Sequence, residues 1–178
     1  KRLQLIIKIL FSFSIIIALF FGAKFAFAEG YIYSYKWGST GSGATQFNSA
    51  RKAAIGPNGN IYITDHLNNR IQVFTQAGTA VTRWGTSGSG TTNMRNPHGI
   101  AVSSTTGNVF VAEFTNNRVH VFTATGVHVT MWGSAGTGIG QFDHPQGIAL
   151  DEFDNVYVVD TGNHRIQKFD SSGVHIAT

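Results

Sequence analysis

Acidic and basic side chains recur together along this chain at a spacing that could support acid–base chemistry. Each acid precedes an Arg by five residues, and the three pairs are Asp65 and Arg70, Glu113 and Arg118, and Asp160 and Arg165. A carboxylate beside a guanidinium stays ionised, as both a general base and an ion pair require. An active site needs one acid, whereas a structural brace is needed in every repeated unit. We therefore predict structural ion pairs and no catalytic residue among them.

Seven histidines make a metal site the next hypothesis. None of them forms a closely spaced pair or an HExxH motif, the usual zinc-binding pattern of a helix. The chain has no cysteine, which excludes disulfides and thiolate ligands. It also lacks a Gly-x-Ser-x-Gly motif, and its Gly-rich loops are not followed by the Lys-Ser/Thr pair of a phosphate-binding loop. The sequence therefore predicts no metal, no cofactor and no activated nucleophile.

The acid–Arg pairs belong to a longer repeat of 47 or 48 residues. The same spacing separates three Trp-Gly pairs that begin at Trp37, Trp84 and Trp132. Between them lie short runs of β-branched and aromatic residues, bounded by Gly, Asn and Pro, which predict four antiparallel strands per period. Four short strands in such a period are typical of one β-propeller blade. The predicted fold is all-β, with repeats at roughly 46–85, 93–133 and 141–178 and an outer strand of a neighbouring blade at 31–38.

Two of the repeats begin with a recognisable motif: residues 97–102 read PHGIAV and residues 145–150 read PQGIAL. Together with the Asn-x-Arg-(Ile/Val)-x-x-Phe runs, they resemble the NHL-repeat β-propeller family over residues 31–178. The first repeat departs from the family pattern, with Ala50-Arg51-Lys52 in place of Pro-x-Gly. The resemblance implies a six-bladed ring, of which about three blades are present. A truncated sequence, which we favour, and a ring closed by two chains both fit this count.

The position after the opening Pro differs among the repeats and is occupied by Arg51, His98 and Gln146. The resemblance implies that this position faces the propeller axis, where histidines of related amidating lyases hold zinc. Only His98 matches that pattern, so we predict a ligand-binding role for these three residues rather than a metal site. The expected function is a binding scaffold for a protein, peptide or glycan, more consistent with a non-enzyme. The alternative is a propeller lyase or hydrolase whose axial metal site is completed by missing blades.

The N-terminal sequence predicts that the protein is exported. A basic start is followed by fifteen uncharged residues, 9–23, and small residues precede Glu29 at Ala26 and Ala28. This arrangement predicts a signal peptide over residues 1–28, and the alternative is an uncleaved membrane anchor over residues 3–28. We therefore expect a secreted or extracytoplasmic domain with no membrane contact beyond this segment. Four of the 13 basic residues lie in the first 28 positions, so residues 29–178 hold nine basic and nine acidic residues and are formally neutral. We therefore expect no global attraction of the domain for nucleic acid.

Overall fold

The structure is a computed structural model that describes residues 36–178. The predicted signal peptide or anchor, and most of the outer strand predicted at 31–38, lie outside these residues and stay predictions. Within residues 36–178, no helix has the length and apolar character needed to span a bilayer. The described chain is instead built from β-strands, with one short 3-10 turn at Thr161–Asn163.

Three four-stranded antiparallel sheets, here called blades 1 to 3, follow one another along the described chain. Two short strands, β1 (Ser39–Thr40) and β2 (Gln46–Phe47), precede blade 1 and pair in parallel. Blade 1 contains β3 (Ala50–Ile55), β4 (Ile61–Asp65), β5 (Arg70–Phe74) and β6 (Ala80–Trp84). Blade 2 contains β7 (Pro97–Val102), β8 (Val109–Glu113), β9 (Arg118–Phe122) and β10 (His128–Trp132). A second short pair, β11 (Ser134–Ala135) and β12 (Gln141–Phe142), leads to blade 3, which contains β13 (Pro145–Leu150), β14 (Val156–Asp160), β15 (Arg165–Phe169) and β16 (His175–Ala177). This architecture confirms the prediction of four-stranded antiparallel blades.

Tight turns set the register of each blade. Gly59 and Gly107, at φ +76° and +75°, end the turns that join the first strand of a blade to the second. A positive φ costs glycine little, whereas other residues are strained there. The next hairpin is closed by the acid and the Arg, which face each other as the last ladder pair in all three blades. In blades 1 and 2 the turn between them holds Asn69 or Asn117 in the left-handed region, which Asn tolerates well. In blade 3 His164 takes this conformation, at φ +55°.

The hydrophobic cores lie between blades rather than within them. One cluster joins Tyr62, Ile71 and Val73 of blade 1 to Ile100, Val109, Val111 and Phe122 of blade 2 and to Met94 of the connection. A second cluster repeats the arrangement with Phe110, Val119 and Val121 of blade 2 and Val156, Val158 and Phe169 of blade 3, together with Phe142. Each blade is therefore stabilised by apolar area buried against its neighbours.

The acid–Arg pairs tie each blade to the Gly-rich connection before it. Arg70 donates through Nε to Asp65 Oδ2 at 2.8 Å. Its Nη1 and Nη2 donate to the carbonyl oxygens of Ser42, Gly43 and Gln46 at 2.7–2.8 Å. Blades 2 and 3 repeat the ion pair at 2.9 and 2.8 Å and add the corresponding carbonyl contacts. All three carboxylate side chains are fully buried, so the predicted structural role of the pairs is confirmed.

Candidate functional site

The three residues predicted to bind a ligand sit at the start of the first strand of each blade. The ladder of each first strand shifts register there, between Ala50 and Ala53, between Pro97 and Gly99, and between Pro145 and Gly147. Such a bulge redirects a side chain away from the regular alternation of a strand. The first strands of neighbouring blades lie side by side, so the structure places Arg51, His98 and Gln146 at one edge of the array.

Arg51 and His98 share a neighbourhood that includes His66. The Arg51 side chain is close enough to both imidazoles for its charge to act on their pKa values. Gln146 joins this neighbourhood through its backbone, because its carbonyl oxygen lies 3.2 Å from His98 Nδ1. His66 makes the equivalent contact across the preceding interface, with its Nδ1 3.3 Å from the Pro97 carbonyl oxygen.

Four aromatic and imidazole rings form a continuous row across the three blades, here called the ring row: His66, His98, Phe114 and His144. His66 meets His98 edge-on at a centroid distance of 5.7 Å, and His98 stacks on Phe114 at 6.2 Å. Phe114 contacts His144 at 4.4 Å. The row brings together turn and strand-start residues that are far apart in the sequence.

Burial lowers the pKa of both His66 and His98 below the usual value of 6.5. The backbone carbonyls of Pro97 and Gln146 oppose this shift, and the positive charge of Arg51 adds to it. Both imidazoles are therefore neutral at pH 7. Since a carbonyl oxygen only accepts, the proton of each neutral ring is on Nδ1 and Nε2 keeps its lone pair. The site thus offers aromatic faces, two imidazole acceptors and the exposed cation Arg51.

This arrangement offers rings that can stack on a ligand and a cation that can pair with one. No cluster of three or more His, Cys, Asp or Glu that could hold a metal ion occurs within the described part of the chain. Neutral imidazoles and Phe114 can stack on planar or apolar groups, and Arg51 can pair with a carboxylate. The sequence analysis predicted a ligand-binding role for Arg51, His98 and Gln146, which stays a prediction, and it did not single out His66, Phe114 or His144. The feature that could have indicated them is their position in the repeat, because all three lie in turns at the same end of the blades.

A second polar arrangement that sequence reasoning missed lies within blade 2. His120 is fully buried, and its Nδ1 lies 2.8 Å from Glu113 Oε1. Its Nε2 lies 2.9 Å from His128 Nδ1. Blades 1 and 3 have Asp with Gln at the corresponding positions, Gln72 and Gln167. Blade 2 therefore differs from the other two blades at both positions of this pair, with Glu113 in place of Asp and His120 in place of Gln.

The comparisons with known proteins agree with the repeat architecture. The model of the family described as NHL repeat matches residues 47–74, 94–122 and 142–169. Each match runs from the connection before a blade to the end of its third strand. A search among curated proteins found no match.

Several solved structures share the fold. A catalytically inactive H270A virginiamycin B lyase from Staphylococcus aureus with quinupristin has a TM-score of 0.59 and 19% identity, covering 84% of this chain and 45% of that one. A chain of a nidogen/laminin complex has a TM-score of 0.55 and 23% identity, covering 70% and 45%. A chain of the Kuenenia stuttgartiensis hydrazine synthase has a TM-score of 0.56 and 14% identity, covering 70% and 34%.

The sequence spans less than half the length of these solved chains. At these identities the likeness concerns the fold alone, and the fold it supports is that of propeller-type blades. The three family matches coincide with the three blades, and each carries the buried acid–Arg pair. This chain belongs to the NHL-repeat family.

Proposed function

We propose that this chain is an exported binding scaffold whose ligand surface is the ring row together with Arg51 and Gln146. The ligand is a segment of a protein or peptide that presents a carboxylate beside an apolar or planar side chain. The observation that carries the proposal is the row itself, in which four rings from three blades lie at centroid distances of 4.4–6.2 Å beside an exposed Arg.

The site lies where the repeats differ, whereas the acid–Arg pairs lie where they agree. Positions that recur in every blade support the fold, as the three fully buried carboxylates show. Arg51, His98 and Gln146 do not recur, and none of them belongs to either hydrophobic core. Residues on a rigid scaffold that are free of packing duties are the ones that binding can use.

The charge at the site favours an acidic ligand. His66 and His98 are neutral at pH 7 because burial lowers their pKa. Arg51 and Lys52 are exposed on β3 and supply positive charge on the blade 1 side. An Arg can hold a carboxylate through two parallel hydrogen bonds, while the rings exclude water beside it. The solved nidogen/laminin complex, a structural neighbour, supports a protein as the ligand class.

A peptide library displayed on phage and selected against the full chain tests this proposal. We expect the recovered peptides to be enriched in Asp or Glu next to an aromatic or aliphatic residue. A variant carrying Arg51→Ala and His98→Ala should lose this enrichment, whereas Arg83→Ala, which removes an exposed Arg from β6, should retain it. Equal recovery of the same peptides on all three proteins would contradict the placement of the site.

The second candidate is a propeller lyase or hydrolase, and one observation favours it. His98 is held through Nδ1 by the Gln146 carbonyl, which leaves Nε2 free to accept a proton or bind a metal. Structures of virginiamycin B lyases are among the neighbours of this chain. Metal analysis of the purified full-length protein separates the candidates. Zinc or calcium bound in a 1:1 ratio to the wild type, and lost in the His98→Ala variant, would favour the enzyme. Negligible metal content, or a metal content that does not change in His98→Ala, would exclude a metal-dependent enzyme at this site.

A further inference from the structure

A turn of blade 3 carries the chemistry that the ring row is proposed to bind. Residues 151–155, here called the acidic turn, join β13 to β14 and read DEFDN. Phe153 is 78% exposed, and Glu152 beside it is also exposed. The corresponding turns of blades 1 and 2 contain no acid and no aromatic residue, since residues 56–60 read GPNGN and residues 103–108 read SSTTGN. The acidic turn is therefore another place where the repeats differ.

The exposure of Phe153 comes from its position within a blade. Counted back from the Asn that ends each turn, Asn58 and Thr106 stand at the same position in blades 1 and 2. Both are exposed although a further blade follows each of them. The tip of this turn thus lies outside the contacts between blades, and we expect Phe153 to stay accessible beside a following blade as well.

Hydrogen bonds hold the acidic turn in one conformation. Asp151 Oδ1 accepts from the backbone N–H groups of Phe153 and Asn155 at 3.0 and 2.9 Å. Glu152 takes no part in these bonds, and it forms no ion pair within residues 36–178. A preformed turn loses little conformational freedom when it binds. The turn therefore presents a carboxylate and an aromatic ring side by side, and both are available to a partner.

The acidic turn and the ring row lie at opposite ends of the blades. His144 and Gln146 stand at the start of β13, and the acidic turn follows Leu150, the last residue of that strand. The six residues of β13 span about 20 Å. The acidic turn therefore cannot reach the ring row of its own chain, and a contact between them joins two copies.

We propose that the acidic turn of one copy of this chain docks on the ring row of a second copy. The inference rests on the proposed function and names its ligand. Phe153 packs on the rings of the row, and Glu152 pairs with Arg51, which also forms no ion pair within the described chain. Asp143 lies beside His144 at the blade 3 end of the row, so the carboxylate of Glu152 is directed to the blade 1 end. This head-to-tail contact joins different surfaces, so disabling either surface disables it.

Sedimentation velocity of the full chain over a range of concentrations tests this contact by charge reversal. A mild nonionic detergent accommodates the apolar segment at residues 9–23, and any association through that segment is common to all variants. Arg51→Glu places two acids across the contact, and Glu152→Arg places two cations there. The chain that carries both substitutions restores an opposite pair with the signs exchanged. Arg83→Glu, at an exposed Arg of β6, is the matched control, and thermal unfolding verifies that every variant folds.

We expect each single reversal to raise the dissociation constant of self-association about tenfold or more, because like charges then face each other across the contact. The double variant and the control should associate like the wild type. A double variant that associates as weakly as the single variants would overturn the proposal, and so would a Glu152→Arg variant that associates like the control. A wild type that stays monomeric at every concentration would overturn it as well.

Binding of a library-selected acidic peptide separates this inference from the proposed function. Glu152→Arg keeps the ring row intact, so it should bind the peptide as the wild type does, and the peptide should dissociate the wild-type assembly. A wild type that binds the peptide through Arg51 and His98 but does not self-associate would refute the docking of the acidic turn and leave the proposed function standing. Restored association of the double variant, on a protein that binds no selected peptide, would support the docking and count against free peptides as ligands.

Discussion

The buried pair Glu113 and His120 gives the sharpest test of how the repeats tolerate variation. Glu113 Oε1 accepts from Arg118 Nε at 2.9 Å and lies 2.8 Å from His120 Nδ1. Because an ionised carboxylate only accepts, His120 donates through Nδ1, its Nε2 accepts, and His128 donates through its own Nδ1. One buried acid thus sets the tautomer of His120 and the direction of its hydrogen bond with His128.

The perturbation is a double-mutant cycle made of Glu113→Asp, His120→Gln and their combination. A hydrogen bond to a charged group contributes about 1.5–3 kcal/mol, so each single substitution should lower the free energy of unfolding by about 2 kcal/mol. The combination recreates the Asp–Gln pair of blades 1 and 3, where Gln72 Nε2 and Gln167 Nε2 donate to the acid at 3.1 and 3.2 Å. Its cost should fall short of the sum of the singles by about 1 kcal/mol or more.

The pH dependence gives an independent result for the same cycle. Burial lowers the pKa of His120 below 6.5, the hydrogen bond and charge of Glu113 oppose this shift, and the charges of Arg118 and His128 add to it. The unfolded chain therefore binds the proton first as the pH falls. The stability that neutral His120 provides is complete above pH 6.5 and is lost as the pH falls from 6.5 toward the lowered pKa, at up to about 1.4 kcal/mol per pH unit.

Urea unfolding of the full chain and its variants at pH 5, 6, 7 and 8 measures both effects. His66 and His98 contribute to the slope with the same sign in every protein, so the difference between wild type and the double variant isolates His120. We expect a shallower loss of stability below pH 6.5 in the double variant. Additive single costs, within about 0.5 kcal/mol, together with pH profiles of equal slope would refute the reasoning.

Three further predictions concern the scaffold. Arg70→Lys removes the guanidinium donors to the Ser42, Gly43 and Gln46 carbonyl oxygens and should lower the free energy of unfolding in urea by about 3 kcal/mol. Arg83→Lys, at an exposed site, should change it by less than about 0.5 kcal/mol. Equal effects would contradict the role of Arg70 in tying blade 1 to the connection before it. Gly126→Ala would place a Cβ 2.5 Å from the Trp84 ring, whereas nothing lies within 4 Å of a Cβ at Gly140, which is also at positive φ. Gly126→Ala should therefore lower the free energy of unfolding by about 1–3 kcal/mol more than Gly140→Ala. Similar melting temperatures for the two variants would count against close packing of Trp84 on Gly126. The pKa of Asp151 is lowered to about 2, mainly because the Asn155 side chain donates a hydrogen bond to its carboxylate. Asn155→Ala should therefore raise this pKa toward 3.8, as measured by NMR titration. An unchanged pKa would show that this hydrogen bond is not the cause.

Repetition made most of the fold predictable from the sequence. The strands, the turns and the acid–Arg pairs recur at matched positions, so three weak local signals reinforce one another. The hydrophobic alternation does not reveal which face of a blade meets which neighbour. That assignment needed the structure, which shows both cores lying between blades.

The missed residues depend on contacts that a repeat alignment does not contain. The ring row joins His66 to His98 and Phe114 to His144, about 30 residues apart in each case, across the interfaces between blades. The pair of Glu113 and His120 looks like two independent departures from the consensus, because only the 2.8 Å contact shows that they change together. Both sites therefore arise from three-dimensional proximity rather than from a motif.

In the proposed function, the recurring residues build the scaffold and the differing residues bind the ligand. The most direct test is the binding isotherm of one library-selected acidic peptide on wild type and on the Arg51→Ala, His98→Ala variant, with Arg83→Ala as the control. We expect a Kd at least tenfold higher for the double variant, with an unchanged melting temperature and an unchanged Kd for the control. A Kd that is the same for all three folded proteins would contradict it.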